Sequence, residues 1–407
     1  WHLLSCENMD KQTQDKTRPT PSRLVIWRTR ILLMSGSVIF TLLLIEIFVR
    51  AFFDVLPVEI QREIQAVQRA PWDETRLIPV LPFTLDLNIQ AYIAPNYTDY
   101  PVHWGDAYFT FTTRGVEWHR AGLRSPEPIW TIDALIIGDS FSFCWVEEVD
   151  CWGWKLQTDY NWHIINAGQP GTGTGAQLAM MREIAAPYEP KLIIWQMYSN
   201  DSQDDYDLAR MNEAVGELET PPPPIPPRPL VGLEKYSVIA LMLGNILNPP
   251  AAPSVVDNQK VRIDGRNLLI PSGDYPPADN RLYESVAYGW EQNIAHYQEG
   301  HNYAQSIGAE VLIVLIPTKE EAYRAKLLDM YDETYWSQVG DSRVRLLALC
   351  ESEGWHCVDM LPIFEQAIAD GVTVYWGYDF HLDASGNALV AQALDAYIRE
   401  NGLLTPR

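Results

Sequence analysis

Short apolar runs recur at wide intervals from residue 131 onward. They are ALIIG at 134–138, HIINAG at 163–168, KLIIWQM at 191–197, EVLIVLIP at 310–317 and the weaker WHCVDM at 355–360. Runs of this length with little alternation are typical of parallel strands buried on both faces. Between them, residues 175–188 and 284–308 show the three- and four-residue spacing of amphipathic helices. The pattern predicts an α/β fold with a doubly wound sheet of about five parallel strands over residues 131–407.

An insertion of about residues 202–282 separates the third run from the fourth. It contains TPPPPIPPRPL, and a polyproline tract is extended and has no backbone donors for a helix or a sheet. We expect a surface spacer here, and a docking motif for an aromatic groove is the alternative.

Residues 51–130 have a different pattern, rich in proline, aromatic and β-branched residues. FTLDLNIQAYIAP and AYFTFTTRG alternate well enough to predict short strands. We interpret this region as a membrane-proximal collar.

The segment RILLMSGSVIFTLLLIEIFVR is the longest apolar stretch. Residues 31–49 lie between Arg30 and Arg50, and Glu46 is their one ionisable member. A helix of this length reaches roughly 28 Å, close to the thickness of a bilayer's hydrocarbon core. We predict a transmembrane anchor, with the Glu46 carboxylate reaching the interface. A cleaved signal peptide is the alternative, although its apolar region would be shorter and a small-residue cleavage site would follow.

Basic residues are concentrated before this span. They are Lys11, Lys16, Arg18, Arg23, Arg28 and Arg30, against Arg50 and Arg62 soon after it. The positive-inside rule predicts a cytoplasmic tail over residues 1–30, with everything from about residue 51 onward in the periplasm or outside the cell.

The charge balance changes the range of possible partners. The formal net charge is −23 and the pI is about 4.7. Such a chain is a poor partner for phosphate backbones, so we expect no binding to nucleic acid.

Four cysteines lie in the part predicted to be exported: Cys144, Cys151, Cys350 and Cys357. Two spacings of seven residues permit disulfides in an oxidising compartment, but the sequence does not fix the pairing. Zinc is the weaker alternative, since these spacings are wrong for a structural finger.

Polar residues follow the predicted strands, where ligands bind in doubly wound sheets. Acyl transfer needs a nucleophile, a base, a group that orients the base, and oxyanion donors. Ser140 supplies a hydroxyl, His381 a general base, and Asp379 a carboxylate for the imidazole, which could instead use a backbone carbonyl. The backbone N–H groups of Ser140 and Gly171 and the amide of Asn200 would form the oxyanion hole. Each residue also has a purely structural alternative, as a helix cap, a turn residue or a surface histidine.

Four sequence blocks resemble those of the SGNH or GDSL hydrolases. They are GDSF at 138–141, NAGQPG at 166–171, YSND at 198–201 and DFHLDASGNALVAQAL at 379–394. The resemblance covers roughly residues 131–202 and 308–397. It implies a flavodoxin-like sheet, Ser140 as nucleophile, Asp379 and His381 as its triad partners, Gly171 and Asn200 as oxyanion donors, and no metal or organic cofactor. Tyr198 stands where the family usually has glycine, which would narrow the pocket.

Two further stretches lie close to these blocks. The acidic run Asp204, Asp205 and Asp207 is interpreted as a solvated loop, with a rim facing the substrate as the alternative. The tract FTTRGVEWHRAGLRSPEP, which includes Arg124, is similar to a segment of anchored family members and is either a packing element or a pocket wall.

The leading functional hypothesis is a membrane-anchored extracytoplasmic serine esterase that cleaves a glycan O-acetyl group or a lipid ester. A second hypothesis keeps the same residues but transfers the acyl group to a sugar hydroxyl; the aromatic collar and IPTKEEAY at 316–323, which resembles a stretch of alginate-type O-acetyltransferases, favour it. A third makes the domain a non-catalytic glycan-binding module.

Overall fold

The computed structural model describes residues 23–52, 81–104, 106–116, 119–125, 132–221, 232–247, 258–271, 277 and 279–405. Most of the predicted cytoplasmic tail, residues 53–80 and 126–131 of the collar, and residues 222–231 with most of the polyproline tract lie outside these ranges. The chain divides into two compact units. The first is Trp1–Gln68 with Leu230–Asn248, and the second is Arg69–Pro229 with Pro249–Arg407.

The second unit begins with short strands, and helices come between the strands of its later part. The helices of the described chain are α1 (Arg23–Ala51), α2 (Ser140–Phe143), α3 (Trp152–Thr158), α4 (Thr174–Tyr188), α5 (Asp201–Met211), α6 (Val238–Leu247), α7 (Glu284–Ser306), α8 (Lys319–Ala322), α9 (Arg324–Leu327), α10 (Glu333–Trp336), α11 (Asp341–Glu353), α12 (Leu361–Ala369) and α13 (Ala384–Glu400). The strands are β1 (Phe83–Asp86), β2 (Gln90–Ile93), β3 (Tyr100–Trp104), β4 (Ala107–Phe111), β5 (Arg114–Val116), β6 (His119–Leu123), β7 (Ala134–Ile137), β8 (Ile164–Asn166), β9 (Leu192–Met197), β10 (Asn258–Ile263), β11 (Arg266–Pro271), β12 (Glu310–Leu315) and β13 (His356–Asp359).

The central sheet has five strands in the order β13-β12-β9-β7-β8. All of its pairings are parallel. The first strand along the chain, β7, therefore lies between the second and the third, which is the flavodoxin-like order. Each strand falls on one of the apolar runs, so the predicted fold class is confirmed.

The sheet is buried on both faces because its residues alternate between two cores. In β7, Ala134 and Ile136 join one core, whereas Leu135 and Ile137 join the other. Trp195 of β9 is fully buried in the second core. Since both faces are covered, these strands have no polar face, and this explains the continuous apolar runs.

The described collar consists of three antiparallel hairpins, β1–β2, β3–β4 and β5–β6. Phe109 and Phe111 of β4 share a small core with Phe143 and Trp145, which follow β7. The collar thus packs on the segment that carries Ser140.

The insertion contains α6 and the hairpin β10–β11. In the first unit, α1 is long and apolar enough to cross a membrane, and a signal sequence would have the same properties.

Both cysteine pairs form disulfides. Cys144 is joined to Cys151, and Cys350 to Cys357. The first disulfide closes the loop directly after α2.

Candidate active site

The predicted site residues lie on loops of the second unit. Ser140 begins α2, just after β7, Gly171 lies between β8 and α4, and Asn200 directly precedes α5. Asp379 and His381 lie between α12 and α13, beside an isolated bridge that joins Tyr375 to Leu382.

Ser140, His381 and Asp379 form one hydrogen-bonded chain. Nε2 of His381 lies 2.8 Å from Oγ of Ser140, and Nδ1 lies 2.7 Å from Oδ1 of Asp379. The same carboxylate oxygen accepts the backbone N–H of His381 at 2.8 Å. The Asp379 side chain is buried, whereas His381 is 18% exposed. An imidazole bonded on both sides in this way can take the Ser140 proton while the carboxylate holds its tautomer.

The turn before Ser140 is fixed by polar contacts from β9. The side-chain oxygen of Gln196 accepts the N–H of Asp139 at 3.1 Å and the hydroxyl of Ser142 at 3.0 Å. A Cβ at Gly138, whose φ is +151°, would lie 2.5 Å from that same oxygen. Only glycine therefore fits at this position between β7 and α2.

Asp139 caps the helix that Ser140 begins. Its Oδ1 accepts the N–H of Phe141 at 2.8 Å. Burial raises the pKa of the Asp139 carboxyl to about 6, against the lowering effect of the Phe141 bond and of the nearby His381. A negative charge at Asp139 would favour the protonated imidazole that forms during acyl transfer.

Gly171 and Asn200 are placed by different means. Gly171 has a φ of +71°, and a Cβ there would meet no protein atom within 4 Å, so the left-handed backbone rather than crowding explains the glycine. The amide nitrogen of Asn200 donates to Oδ2 of Asp204 at 2.7 Å. Burial raises the pKa of Asp204 well above its ordinary value.

Aromatic rings contact the imidazole of His381. Trp145 stacks on it with ring centroids 4.3 Å apart, and Phe141 lies at 4.9 Å. The ring of Tyr198 packs on Phe141 at 4.0 Å. Tyr198, which stands where the asparagine block usually has glycine, therefore packs on the ring of Phe141 beside His381.

Lys319 holds the loop that carries Asp379 and His381. Its ammonium donates to the carbonyls of Trp376, Gly377 and Asp379 at 2.6, 3.0 and 3.1 Å. The residue is fully buried, and burial lowers the pKa of its amine to about 8. Sequence reasoning included this lysine only within the stretch IPTKEEAY and predicted no role for it.

Asp106 of the collar binds the same loop from its N–H side. Its carboxylate accepts the backbone N–H groups of Gly377 at 2.7 Å and Tyr378 at 2.9 Å. Burial raises the pKa of Asp106, and the charge of Lys319 opposes this. Sequence reasoning missed this residue, because an aspartate in a hairpin turn has no distinguishing pattern.

The contacts of Arg124 bear on the two interpretations of its tract, a packing element or a pocket wall. Its guanidinium is buried and donates to the carbonyl of Phe143 at 2.6 Å and to those of Cys144 and Val146. It also lies over the rings of Phe109 and Phe143. Burial lowers the pKa of Arg124 to about 10. Arg124 therefore acts as a packing element that holds the backbone after α2.

The interpretation of the acidic run as a solvated loop was wrong for Asp205. The run lies in α5, and Asp205 is 3% exposed. Its carboxylate accepts Thr174 Oγ1 at 2.5 Å and Asn293 Nδ2 at 2.7 Å, and it pairs with His296 at 3.0 Å. Partners on α4 and α7 thus compensate for the burial of this charge.

Among the described residues, no group of three or more His, Cys, Asp or Glu side chains is placed to hold a metal ion.

Part of the chain matches the model of a known protein family. The family model described as the SGNH hydrolase-like domain of acetyltransferase AlgX matches residues 281–406. The chain contains an SGNH hydrolase-like domain. The matched segment includes Lys319, Asp379 and His381, whereas Ser140, Gly171 and Asn200 precede it. No curated protein sequence matches the chain.

Solved structures with a similar fold include two acetylxylan esterases. AlAXEase is 11% identical over 65% of this chain and 99% of its own, with a TM-score of 0.38. A catalytic mutant of Axe2 from Geobacillus stearothermophilus is 13% identical over 68% of this chain and 97% of its own, with a TM-score of 0.36. A G-D-S-L family lipolytic protein from Desulfitobacterium hafniense is 10% identical over 66% of this chain and 99% of its own, with a TM-score of 0.36. These likenesses are too distant to assign a substrate.

Proposed function

We propose that this protein is a membrane-anchored, extracytoplasmic serine esterase that forms an acyl-enzyme on Ser140. The observation that supports the proposal is the hydrogen-bonded chain from Ser140 Oγ through His381 to Asp379, with contacts of 2.8 and 2.7 Å. A glycan O-acetyl group or a lipid ester is the proposed substrate.

In the first half-reaction, Nε2 of His381 takes the proton of Ser140 while Oγ attacks the carbonyl carbon of the ester. The resulting oxyanion is stabilised by the N–H groups of Ser140 and Gly171 and by the amide of Asn200. The imidazolium, held by Asp379, then gives its proton to the leaving alcohol as the ester C–O bond breaks.

In the second half-reaction, His381 removes a proton from water, which attacks the acyl carbon. The imidazolium then returns a proton to Oγ of Ser140 as the acyl C–O bond breaks and the acid is released. A sugar hydroxyl can take the place of water in this step. The family match to the domain of an acetyltransferase favours this second candidate function, O-acyl transfer to a polysaccharide.

Labelling by a fluorophosphonate probe tests the nucleophile. In the full chain, we expect labelling that is lost in Ser140→Ala and retained in Ser352→Ala, an exposed serine of α11. Unchanged labelling of Ser140→Ala would exclude Ser140 as the nucleophile. A wild-type chain that is neither labelled nor able to cleave p-nitrophenyl acetate would favour the non-catalytic glycan-binding module.

The acyl acceptor is tested by incubating the enzyme with p-nitrophenyl acetate, with and without an oligosaccharide. Free acetate as the product in both samples supports the esterase. Acetylated oligosaccharide, detected by mass spectrometry, identifies the transferase.

We further propose that α1 remains uncleaved and anchors the chain with its amino end in the cytoplasm. Its apolar surface and the basic residues that precede it support this topology. Protease added to intact spheroplasts that express the chain should digest the catalytic unit, whereas full protection would contradict the orientation.

A further inference from the structure

The carboxylate of Glu46, inside the apolar 31–49 segment, is bound to another helix. It accepts the backbone N–H groups of Val238 and Ile239, each at 3.1 Å, and the hydroxyl of Ser237 at 3.0 Å. These donors form the amino end of α6. Glu46 therefore caps α6 with a side chain that comes from α1.

Arg50 completes the contact one turn further along α1. Its Nε and Nη2 donate to Oε1 of Glu46 at 2.8 and 2.7 Å, and Nη2 donates to the carbonyl of Tyr236 at 3.2 Å. A carboxylate near a bilayer is costly unless it is paired and hydrogen-bonded. At Glu46 the described residues supply both a cation and the donors of a helix terminus.

Helix α6 is apolar except for Asn245. Its sequence, VIALMLGNIL, contains no charged residue. Val238 and Leu241 are buried, whereas Leu243, Ile246 and Leu247 are 48%, 72% and 77% exposed. Such an exposed cluster of large apolar side chains indicates a non-aqueous neighbour.

We propose that α6 lies in the outer interface of the membrane, with Leu243, Ile246 and Leu247 among lipid acyl chains beside the outer end of α1. This inference rests on the proposed anchoring of α1. Helix α6 contacts α1. At the outer end of α1, Ile47 and Phe48 are 63% and 53% exposed, and Phe52, just after the helix, is 50% exposed. Lipid around the outer end of α1 would therefore also reach α6.

The length of α6 excludes a second span. Ten residues reach about 15 Å, roughly half of the hydrocarbon core. The partly buried cap accepts the first-turn N–H groups of Val238 and Ile239, as a low-dielectric environment requires. Because α6 belongs to the insertion between β9 and β12, the catalytic unit would be tied to the membrane by this insertion as well as by α1.

Depth-dependent quenching tests the proposal in the full chain, reconstituted in phosphatidylcholine vesicles. In a Cys6→Ser background, an NBD fluorophore is placed in turn at Phe40→Cys in α1, Ile246→Cys in α6 and Val372→Cys, an exposed site of the catalytic unit. We expect lipids with an acyl-chain doxyl group to quench the first two labels and to leave the third unchanged. Aqueous iodide should show the reverse order.

The outcomes separate this inference from the anchoring on which it rests. Quenching at Phe40 without quenching at Ile246 would overturn the placement of α6 and leave the anchor intact, whether water or another protein covers the helix. Quenching at neither position would overturn both. Fluorophosphonate labelling in the same vesicles reports independently on Ser140.

A second variant tests the role of the cap. Glu46→Leu should leave the Phe40 label in the bilayer but make the Ile246 label accessible to iodide, whereas Glu46→Gln, which keeps an acceptor oxygen, should retain most of the lipid quenching. Equal lipid quenching of the Ile246 label in wild type and Glu46→Leu would overturn the assignment of Glu46 as the group that holds α6.

Discussion

The indole of Trp145 stacks on the imidazole of His381, with 12° between the ring planes and 4.3 Å between the centroids. This contact restricts the ring that must face Ser140. Stacked aromatic pairs contribute about 0.5–1.5 kcal/mol beyond the area they bury. We expect Trp145→Leu to lower kcat roughly two- to tenfold, and Trp145→Phe to lower it less.

Steady-state kinetics on p-nitrophenyl acetate, well below the melting temperature of each variant, would measure this effect. Equal kcat values for the leucine and phenylalanine variants would show that the stack does not orient the base.

Lys319 should give the activity an alkaline limb. Burial lowers its pKa from 10.5 to about 8, so the ammonium that holds the loop of His381 is lost above that pH. We expect kcat to fall with an apparent pKa near 8. Lys319→Met should have a lower kcat throughout and lack this limb, whereas Lys326→Met, which alters an exposed ion pair with Asp264, should keep the wild-type profile.

Above pH 8, Lys319 should affect stability in the opposite direction to activity: kcat falls with pH, whereas the free energy of unfolding rises. Between about pH 8 and 10.5 the unfolded chain holds a proton that the folded chain has released, so this group makes the free energy of unfolding rise with pH. Comparing denaturant midpoints of wild type and Lys319→Met across this pH range measures the contribution of Lys319 to the free energy of unfolding. A larger fall in stability in wild type than in the variant would contradict it.

Asp106 and Lys319 should act as a coupled pair, since both bind Gly377, one at its N–H and the other at its carbonyl. Each single variant, Asp106→Ala and Lys319→Met, is expected to lower kcat. Their combination should lower it by less than the product of the two effects, because either change already frees the loop. A double-mutant cycle on kcat measures the coupling, and strict additivity would show that the residues act separately.

The two disulfides provide a matched pair of tests, because each closes a seven-residue separation. Replacing either pair by serines should cost about 2–3 kcal/mol of stability. Only the Cys144/Cys151 replacement should also lower kcat, since its loop carries Trp145. Chemical denaturation and kinetics on both variants would measure this, and equal losses of activity would argue against a special role of the first loop.

Arg124 should matter for stability more than its distance from the reaction suggests. Arg124→Leu leaves the carbonyls of Phe143, Cys144 and Val146 without their donor, and we expect a loss of about 3–5 kcal/mol. Arg345→Leu, which removes a half-exposed arginine from α11, is the control and should cost about 0.5 kcal/mol or less. Urea unfolding compares the two, and similar midpoints would contradict the packing role.

The sheet and the loops of the candidate site were predictable from the sequence, and the contacts that hold the loops were not. Strands such as β9 are apolar throughout because both faces are buried, and that pattern is local. Lys319 and Asp106 bind backbone groups of a distant loop, and such bonds leave no pattern in the sequence. Asp205 was misread for a similar reason, since its partners Thr174 and Asn293 come from other helices.

The sequence separation of 241 between Ser140 and His381 also has a consequence for biosynthesis. A chain that is translated and exported from its amino end presents the serine long before the histidine. A hydroxyl without an adjacent base is a weak nucleophile, so the growing polypeptide is inert toward esters. Under the proposed function and topology, reactivity would therefore arise only when the last segment of the sheet domain folds, outside the compartment where the protein is made.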